Sequence, residues 1–545
     1  MKPKLLWKSA LGVGGVAAAV VVAATTVTAG PGSLTISNVA TANTRSDGYA
    51  PASRLATELR GIVQAQGSMR VENPGTTTSY YGYANDILNA AGEPQMVATP
   101  TIANEATKTE PDKNTYLVFK DGLPGADPTY DYGTHFLFQG HEAGAAGQGM
   151  ITRVNLDADA AHRVTVLATQ DVNGKPITTI DGSTWDPFAQ RLLFTTESAS
   201  KPTYAATPGF PSKVEDASGA LGQGGYEGIQ DDGDGNIWIV EDIGGALKPG
   251  TTAKIPNSYL YRYVPAHKGD LQNGKLQVLQ VVNASGTPIT AATQTAPNSP
   301  DQLALHTYGS SFKTKWVTVH DTAVDGTAPF NANLAASAHD GTPFKRPENG
   351  NFRPDGSFTQ FVFDETGDTN ATSIENDTAG GWGSLWQLTQ ASPSASAGSL
   401  SILYKGDQTH AGFDNTTFLS KDELLVVEDA GDTLHGQRNA LDSGWLFDLG
   451  ANFAGGAQPV RWLAEGRDPS ATIDAANNGF GHNDMDNEIT GVHVSNGDPT
   501  ANGILGAKAP DIFRAGWRWF YTEQHGDNRT YEIVPRTSNA TGATG

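Results

Sequence analysis

Short apolar runs bounded by turn residues recur along this chain, and long amphipathic helical stretches are scarce. His135-Phe136-Leu137-Phe138, Arg191-Leu192-Leu193-Phe194, Asn236-Ile237-Trp238-Ile239-Val240, Phe361-Val362-Phe363 and Glu423-Leu424-Leu425-Val426-Val427 are of this kind. Runs this short, rich in β-branched and aromatic residues, read as strands. Several follow Asp/Gly turns, as in Asp232-Gly233-Asp234-Gly235-Asn236 and Arg353-Pro354-Asp355-Gly356. Strand after strand over about 450 residues predicts a large all-β architecture. A β-propeller holds that length in one body, because each four-stranded blade takes roughly 40–50 residues plus insertions. No clean repeat consensus is present, so spacing alone does not give a blade count. One helix is expected over 53–66, and 291–300 and 391–398 read as surface loops. No internal boundary divides 30–545, which reads as one domain with frayed termini, 537–545 among them.

The N-terminal segment has a different character. Lys2, Lys4 and Lys8 precede a run of small and apolar residues from Ala10 to Ala24, and Val27-Thr28-Ala29 follows with small residues at peptidase spacing. Residues 1–29 therefore read as a secretory signal, with a retained single-span anchor as the alternative. No Arg-Arg pair precedes the apolar run, so the twin-arginine route is not indicated. A periplasmic or secreted destination follows, with no membrane contact in the mature form.

The chain has no cysteine, which excludes disulfides and thiolate metal sites. An exported protein without disulfides must rely on core packing or on metals such as calcium. The formal charge is −22, from 58 acids and 36 bases. Such a chain should avoid nucleic acid and anionic lipid. No Gly-x-Ser-x-Gly elbow, phosphate-binding loop or His-Glu-x-x-His is present. Asp232 to Asn236 has the alternating oxygens of a calcium loop, but Ile237 and Ile243 stand where an EF-hand needs Gly and Glu, which favours a tight turn.

Acids recur at the ends of the apolar runs. Glu142, Glu197, Glu241-Asp242 and Glu428-Asp429 each follow one. Strand ends converge on the central channel of a propeller, where a ring of carboxylates would repel itself unless cations neutralised it. The recurrence in four places raises a metal site above four unrelated loop residues.

Taken in order, several segments resemble the PhoX-type alkaline phosphatase family over most of the mature chain. They are Gly140-His141-Glu142 with Ile151-Thr152-Arg153-Val154, Leu193 to Ser198, Tyr226-Glu227-Gly228 and Val240-Glu241-Asp242. Lys345-Arg346-Pro347-Glu348-Asn349, Gly412-Phe413-Asp414-Asn415 with Val427-Glu428-Asp429, Glu488-Ile489-Thr490-Gly491 and Glu523-Gln524-His525-Gly526 complete the series. The resemblance implies a six-bladed propeller with a central metal-binding channel that hydrolyses phosphomonoesters at an iron–calcium cluster. It assigns Glu227, Asp242, Glu348 and Glu488 as ligands and sets Arg346 against the phosphate, where a guanidinium fork suits. Asp181 stands in the register of the family's iron-binding cysteine, and Glu197 keeps one acid of its Glu-Glu-Asn. A carboxylate at 181 binds iron(III) or calcium, but not as a soft thiolate would. The implied protein is a monomer acting on a small phosphate ester. Competing readings are a calcium-dependent propeller phytase or lactonase, and a non-enzymatic calcium-stabilised binding propeller.

Overall fold

The computed structural model describes residues 35–46, 49–96, 105–467 and 486–536. The expected signal at 1–29 and the expected frayed end at 537–545 lie outside the described residues. The fold is all-β, a propeller-like arrangement of antiparallel sheets. One four-stranded sheet runs Pro111–Val118, His135–His141, Met150–Asn155 and Val164–Ala168, in chain order from the inside outward. The next runs Ile180–Asp186, Arg191–Thr196, Tyr204–Ala206 and Val214–Asp216. A nine-stranded sheet follows, with Tyr226–Asp231 at one edge, Gly350–Phe352 at the other and Phe312–Asp321 at its middle. The fourth sheet begins at Phe413–Phe418 and the last at Glu488–Ser495.

Both of these final sheets recruit strands from near residue 60. Arg54–Leu55 pairs with Val460–Ala464, and Leu59–Ala65 pairs with Arg529–Pro535. The sequence predicts a helix over 53–66, and the structure corrects this to two strands. Those strands cover sheet edges whose backbone groups would otherwise lack partners, and that requirement overrides a modest helix propensity.

Pro111–Val118, Ile180–Asp186, Tyr226–Asp231, Gly350–Phe352, Phe413–Phe418 and Glu488–Ser495 are sheet-edge strands that face one another around a channel, and polar contacts link the sheets in a circuit. Ser183 Oγ donates to Lys113 O at 3.1 Å, Thr195 Oγ1 to Glu227 O at 2.7 Å and Gly228 N to Glu348 O at 2.7 Å. Asn351 Nδ2 donates to Thr416 O at 2.7 Å and Gly491 N to Asn415 Oδ1 at 3.1 Å. Asn114 Nδ2 closes the circuit on Gly491 O at 2.6 Å. Apolar clusters fill the spaces between sheets. The largest joins the two halves of the nine-stranded sheet through Trp238, Trp316, Phe352, Phe361 and Trp386. Trp238 packs edge-on against Trp316 at 5.1 Å and against Phe352 at 5.0 Å. Full burial of a side chain as large as Phe361 contributes roughly 2–3 kcal/mol.

The Asp232 loop is a tight turn. Asp232 accepts from Asp234 N at 2.8 Å, Asn236 N at 3.0 Å, Asn236 Nδ2 at 2.8 Å and Trp238 Nε1 at 2.9 Å. Its lone pairs are spent on holding the chain. No helix among the described residues is long and apolar enough to cross a membrane.

Candidate metal centre

The inner strands carry acids at one common end. Asp112, Asp181, Glu227 and Asp414 are each the second residue of their strand, Glu488 is the first of its own, and Glu348 stands just before Gly350–Phe352. Four of these acids sit inside a break of register: between Pro111 and Asn114, Ile180 and Ser183, Tyr226 and Ile229, and Phe413 and Thr416. Such a bulge leaves its residue out of the ladder and re-aims the side chain. Gly182, next to Asp181, allows the close approach of the neighbouring strand. A Cβ there would lie 1.7 Å from Glu227 O.

A second tier comes from the residue just past each second strand. Glu142, Glu197, Asp242, Thr366, Asp429 and His525 occupy these places. The tiers meet. Ligand-type atoms of Asp112, Glu142 and Asp181 lie within 4.8 Å of one another, as do those of Asp181, Glu197 and Glu227, and those of Glu227, Asp242 and Glu348. Thr490 hydrogen-bonds Asp112, and Thr366 hydrogen-bonds Glu348. Glu488 accepts from His525 Nε2 at 3.1 Å.

The residues singled out from sequence thus fall around one channel. Asp181, Glu197, Glu227, Asp242 and Glu348 form a chain of adjoining triads. Arg346 donates from Nε to Asp242 at 2.7 Å and sits 3.3 Å from Glu348 through Nη2. Its φ of 55° is the left-handed region, uncommon for a bulky side chain and typical of functional loops. Glu488 joins from the last sheet, and the charges of Asp112 and Asp429 act on it.

Two neighbouring acids do not join. Glu241 is buried inside its sheet, accepting from Tyr259 N, Tyr261 Oη and Asn333 Nδ2. Glu428 likewise accepts from Trp445 Nε1, Ser443 N and Arg438. Sequence reasoning passed over Asp112 and Asp414 as ligands, and over two cations. Lys113 is buried beneath the acids, with Asp414 and Asp112 acting on it. Lys254 lies beside Arg346, its backbone N donating to Asp368 at 2.8 Å. The findable signal was an acid followed by Gly, Lys or Asn at the start of an inner strand, present at Asp112, Asp181, Glu227, Glu348 and Asp414 but not at Glu488, which Ile489 follows.

The electrostatics follow from burial of like charges. Burial, then Glu197 and Asp112, pushes Glu142 well above the usual carboxylate range. Burial first and neighbouring acids second do the same to Asp181, Glu227, Glu348 and Asp414. Asp112 is pushed up to about 6 and Glu488 to about 8, again chiefly by burial. Burial alone would lower Arg346, but Asp242 and Glu348 hold it above its ordinary value. Burial, then Arg346, brings Lys254 down to about 8. Buried carboxylates with too few cations among them are what hard, oxygen-preferring ions require, so the donor set fits calcium. Without a thiol, it fits iron only through carboxylate oxygen.

No family model and no curated protein matches this sequence. Among solved structures, PhoX of Pseudomonas fluorescens in complex with vanadate matches at 10% identity with a TM-score of 0.52, over 92% of this chain and 99% of that one. The fold is a PhoX-like β-propeller. Virginiamycin B lyase from Staphylococcus aureus matches at 12% identity and a TM-score of 0.30, over 77% of this chain and 99% of that one. An apocarotenoid oxygenase of Synechocystis matches at 10% identity and a TM-score of 0.32, over 82% and 94%.

Proposed function

We propose that this protein is an exported, metal-dependent phosphatase acting on small phosphomonoesters. The carrying observation is Arg346. It is held between Asp242 and Glu348 at the edge of a buried carboxylate cluster that fits hard cations. Six blades are the natural reading of the sheets, with the nine-stranded one taken as two blades bridged by Phe312–Asp321. Asp112, Asp181, Glu227, Asp242, Glu348, Asp414 and Glu488 would hold calcium, with iron at Asp181 and Glu197 as a further occupant. Bound metal would polarise the phosphoryl oxygens and offset the negative charge that gathers in the transition state.

The chain's own residues supply orientation and charge. Asp242 and Glu348 fix the Arg346 fork, which would bind two phosphoryl oxygens at once. Lys254 adds a second positive charge on the same side. Thr366 and Thr490 hold Glu348 and Asp112 in place through their hydroxyls. The absence of a thiol supports a second reading, a calcium-only propeller hydrolase such as a phytase or lactonase. Purified protein should be assayed on phosphomonoesters, phytate and lactones with calcium and iron supplied, alongside metal analysis. Turnover of phosphomonoesters is expected. Turnover of lactones or phytate alone would replace the proposal with the second reading, and no turnover on any of them would leave a binding propeller. Export predicts a mature N-terminus near Gly30 on secreted or periplasmic protein. Met1 on intact cytosolic protein would overturn it.

A further inference from the structure

Another group of acids lies at the junction of the last two sheets. Asp442 immediately precedes Ser443–Asp448, and Glu465 immediately follows Val460–Ala464. Ser443 pairs with Ala464, and Glu465 N donates to Asp442 O at 3.0 Å, so the two acids stand directly opposite each other. Opposite residues of an antiparallel pair present their side chains to one face, where like charges destabilise. Both acids are 0% exposed.

Their hydrogen bonding is uneven. Asp442 Oδ1 accepts from His435 Nε2 at 2.8 Å and from Arg438 at 3.1 Å, while its Oδ2 has no partner. Glu465 has no partner on either oxygen. Asp486 joins the group through His435 Nδ1 at 3.2 Å, and Asp432 lies within ligand range of both Asp486 and His435. Glu523, Asp442, Glu488 and Asp486 all press on Glu465 by charge. An unpaired buried carboxyl costs several kcal/mol, of the order given for isolated polar groups. One hard cation would satisfy both Glu465 oxygens and the free oxygen of Asp442 together.

We propose that Glu465 and Asp442 hold a calcium-class divalent cation, separate from the channel ions, that braces the junction between the last two sheets. The site does not depend on the channel being a phosphatase centre. Its test is calcium stoichiometry. Wild type, Glu465→Gln, Glu227→Gln and the double variant are stripped with chelator and dialysed against calcium, and bound calcium is counted by mass spectrometry. Melting temperature is followed across a calcium titration. Glu465→Gln should bind one calcium fewer per chain and lose part of the calcium-dependent rise in Tm, in the wild-type and the Glu227→Gln backgrounds alike. Its specific activity on whichever ester the wild type turns over should be retained. An unchanged calcium count and an unchanged rise in Tm would overturn the proposal. Should Glu465→Gln not fold, Asp442→Asn keeps an oxygen for His435 and is read by the same count.

Discussion

Stripping divalent cations should make this protein's stability fall as pH rises, and calcium should flatten that slope. Burial pushes Glu488 up to about 8 in the folded chain from an ordinary 4.5, and Asp112 up to about 6 from 3.8. A carboxyl with a raised native pKa binds more protons folded than unfolded, so stability is lost as pH climbs from the unfolded value towards the native one. His525 acts in the same direction. Burial would lower it, Glu110 and Glu488 raise it, and its contribution is lost as pH passes upward through that raised value. At about 1.4 kcal/mol per pKa unit, Glu488 alone loses roughly 3–4 kcal/mol between pH 5 and 8, and Asp112 about 1–2. For a body of about 500 residues the unfolding entropy is about 1 kcal/mol per degree, so the melting point should drop by about 5 °C. Because calcium binds the ionised form, its stabilisation should grow over the same interval. Calorimetry of chelated and calcium-loaded protein at pH 5 and 8 measures this. A chelated protein as stable at pH 8 as at pH 5, or an identical slope with calcium present, would refute the account of the channel as an uncompensated acid cluster.

Glu348→Gln and Glu488→Gln should each lose metal and most phosphomonoester turnover while remaining folded by circular dichroism; full activity and metal content in both would reject the site. Gly182→Ala should disrupt the channel, because the added methyl meets Glu227 O at 1.7 Å, and a variant with wild-type melting and calcium content would contradict that packing. Asp232→Ala removes the acceptor for two backbone N–H groups and Trp238 Nε1 and should cost about 2–4 kcal/mol by denaturant titration. Trp238→Ala should cost about 3–5 kcal/mol through the cavity it opens.

The architecture was legible because strands such as Ile237–Glu241 are apolar runs closed by turn residues. The second tier of the site was legible for the same reason, since an acid ending an apolar run is conspicuous. Where two acids followed the run, the alternation of side chains decided between them. Glu241 and Glu428 still belong to their strands and point into the sheet, so Asp242 and Asp429 reach the channel. The first tier was harder to see. Asp112 and Asp414 lead into polar stretches, Lys113-Asn114-Thr115 and Asn415-Thr416-Thr417, that line the channel and carry no apolar pattern. That a register break falls at these two acids is decided by pairing with the next strand, and no residue in the local window marks it. The same holds for 54–65, whose strands exist only because partners near residues 460 and 530 leave edges to cover.

That last pairing has a consequence for how the molecule is made. Gln64 meets Glu532 across a separation of 468 residues, so the ring stays open until almost the whole described chain is available. Closing a loop of that length costs about 5 kcal/mol in chain entropy, and sequence-distant contacts form slowly. A nascent chain would carry five inner strands with their acids before the strand with Glu488 arrives, leaving their carboxylates open to water instead of confined. Cation capture and ring closure are therefore coupled steps. A chain truncated before Arg518 should neither hold the full complement of calcium nor protect its early strands from hydrogen exchange.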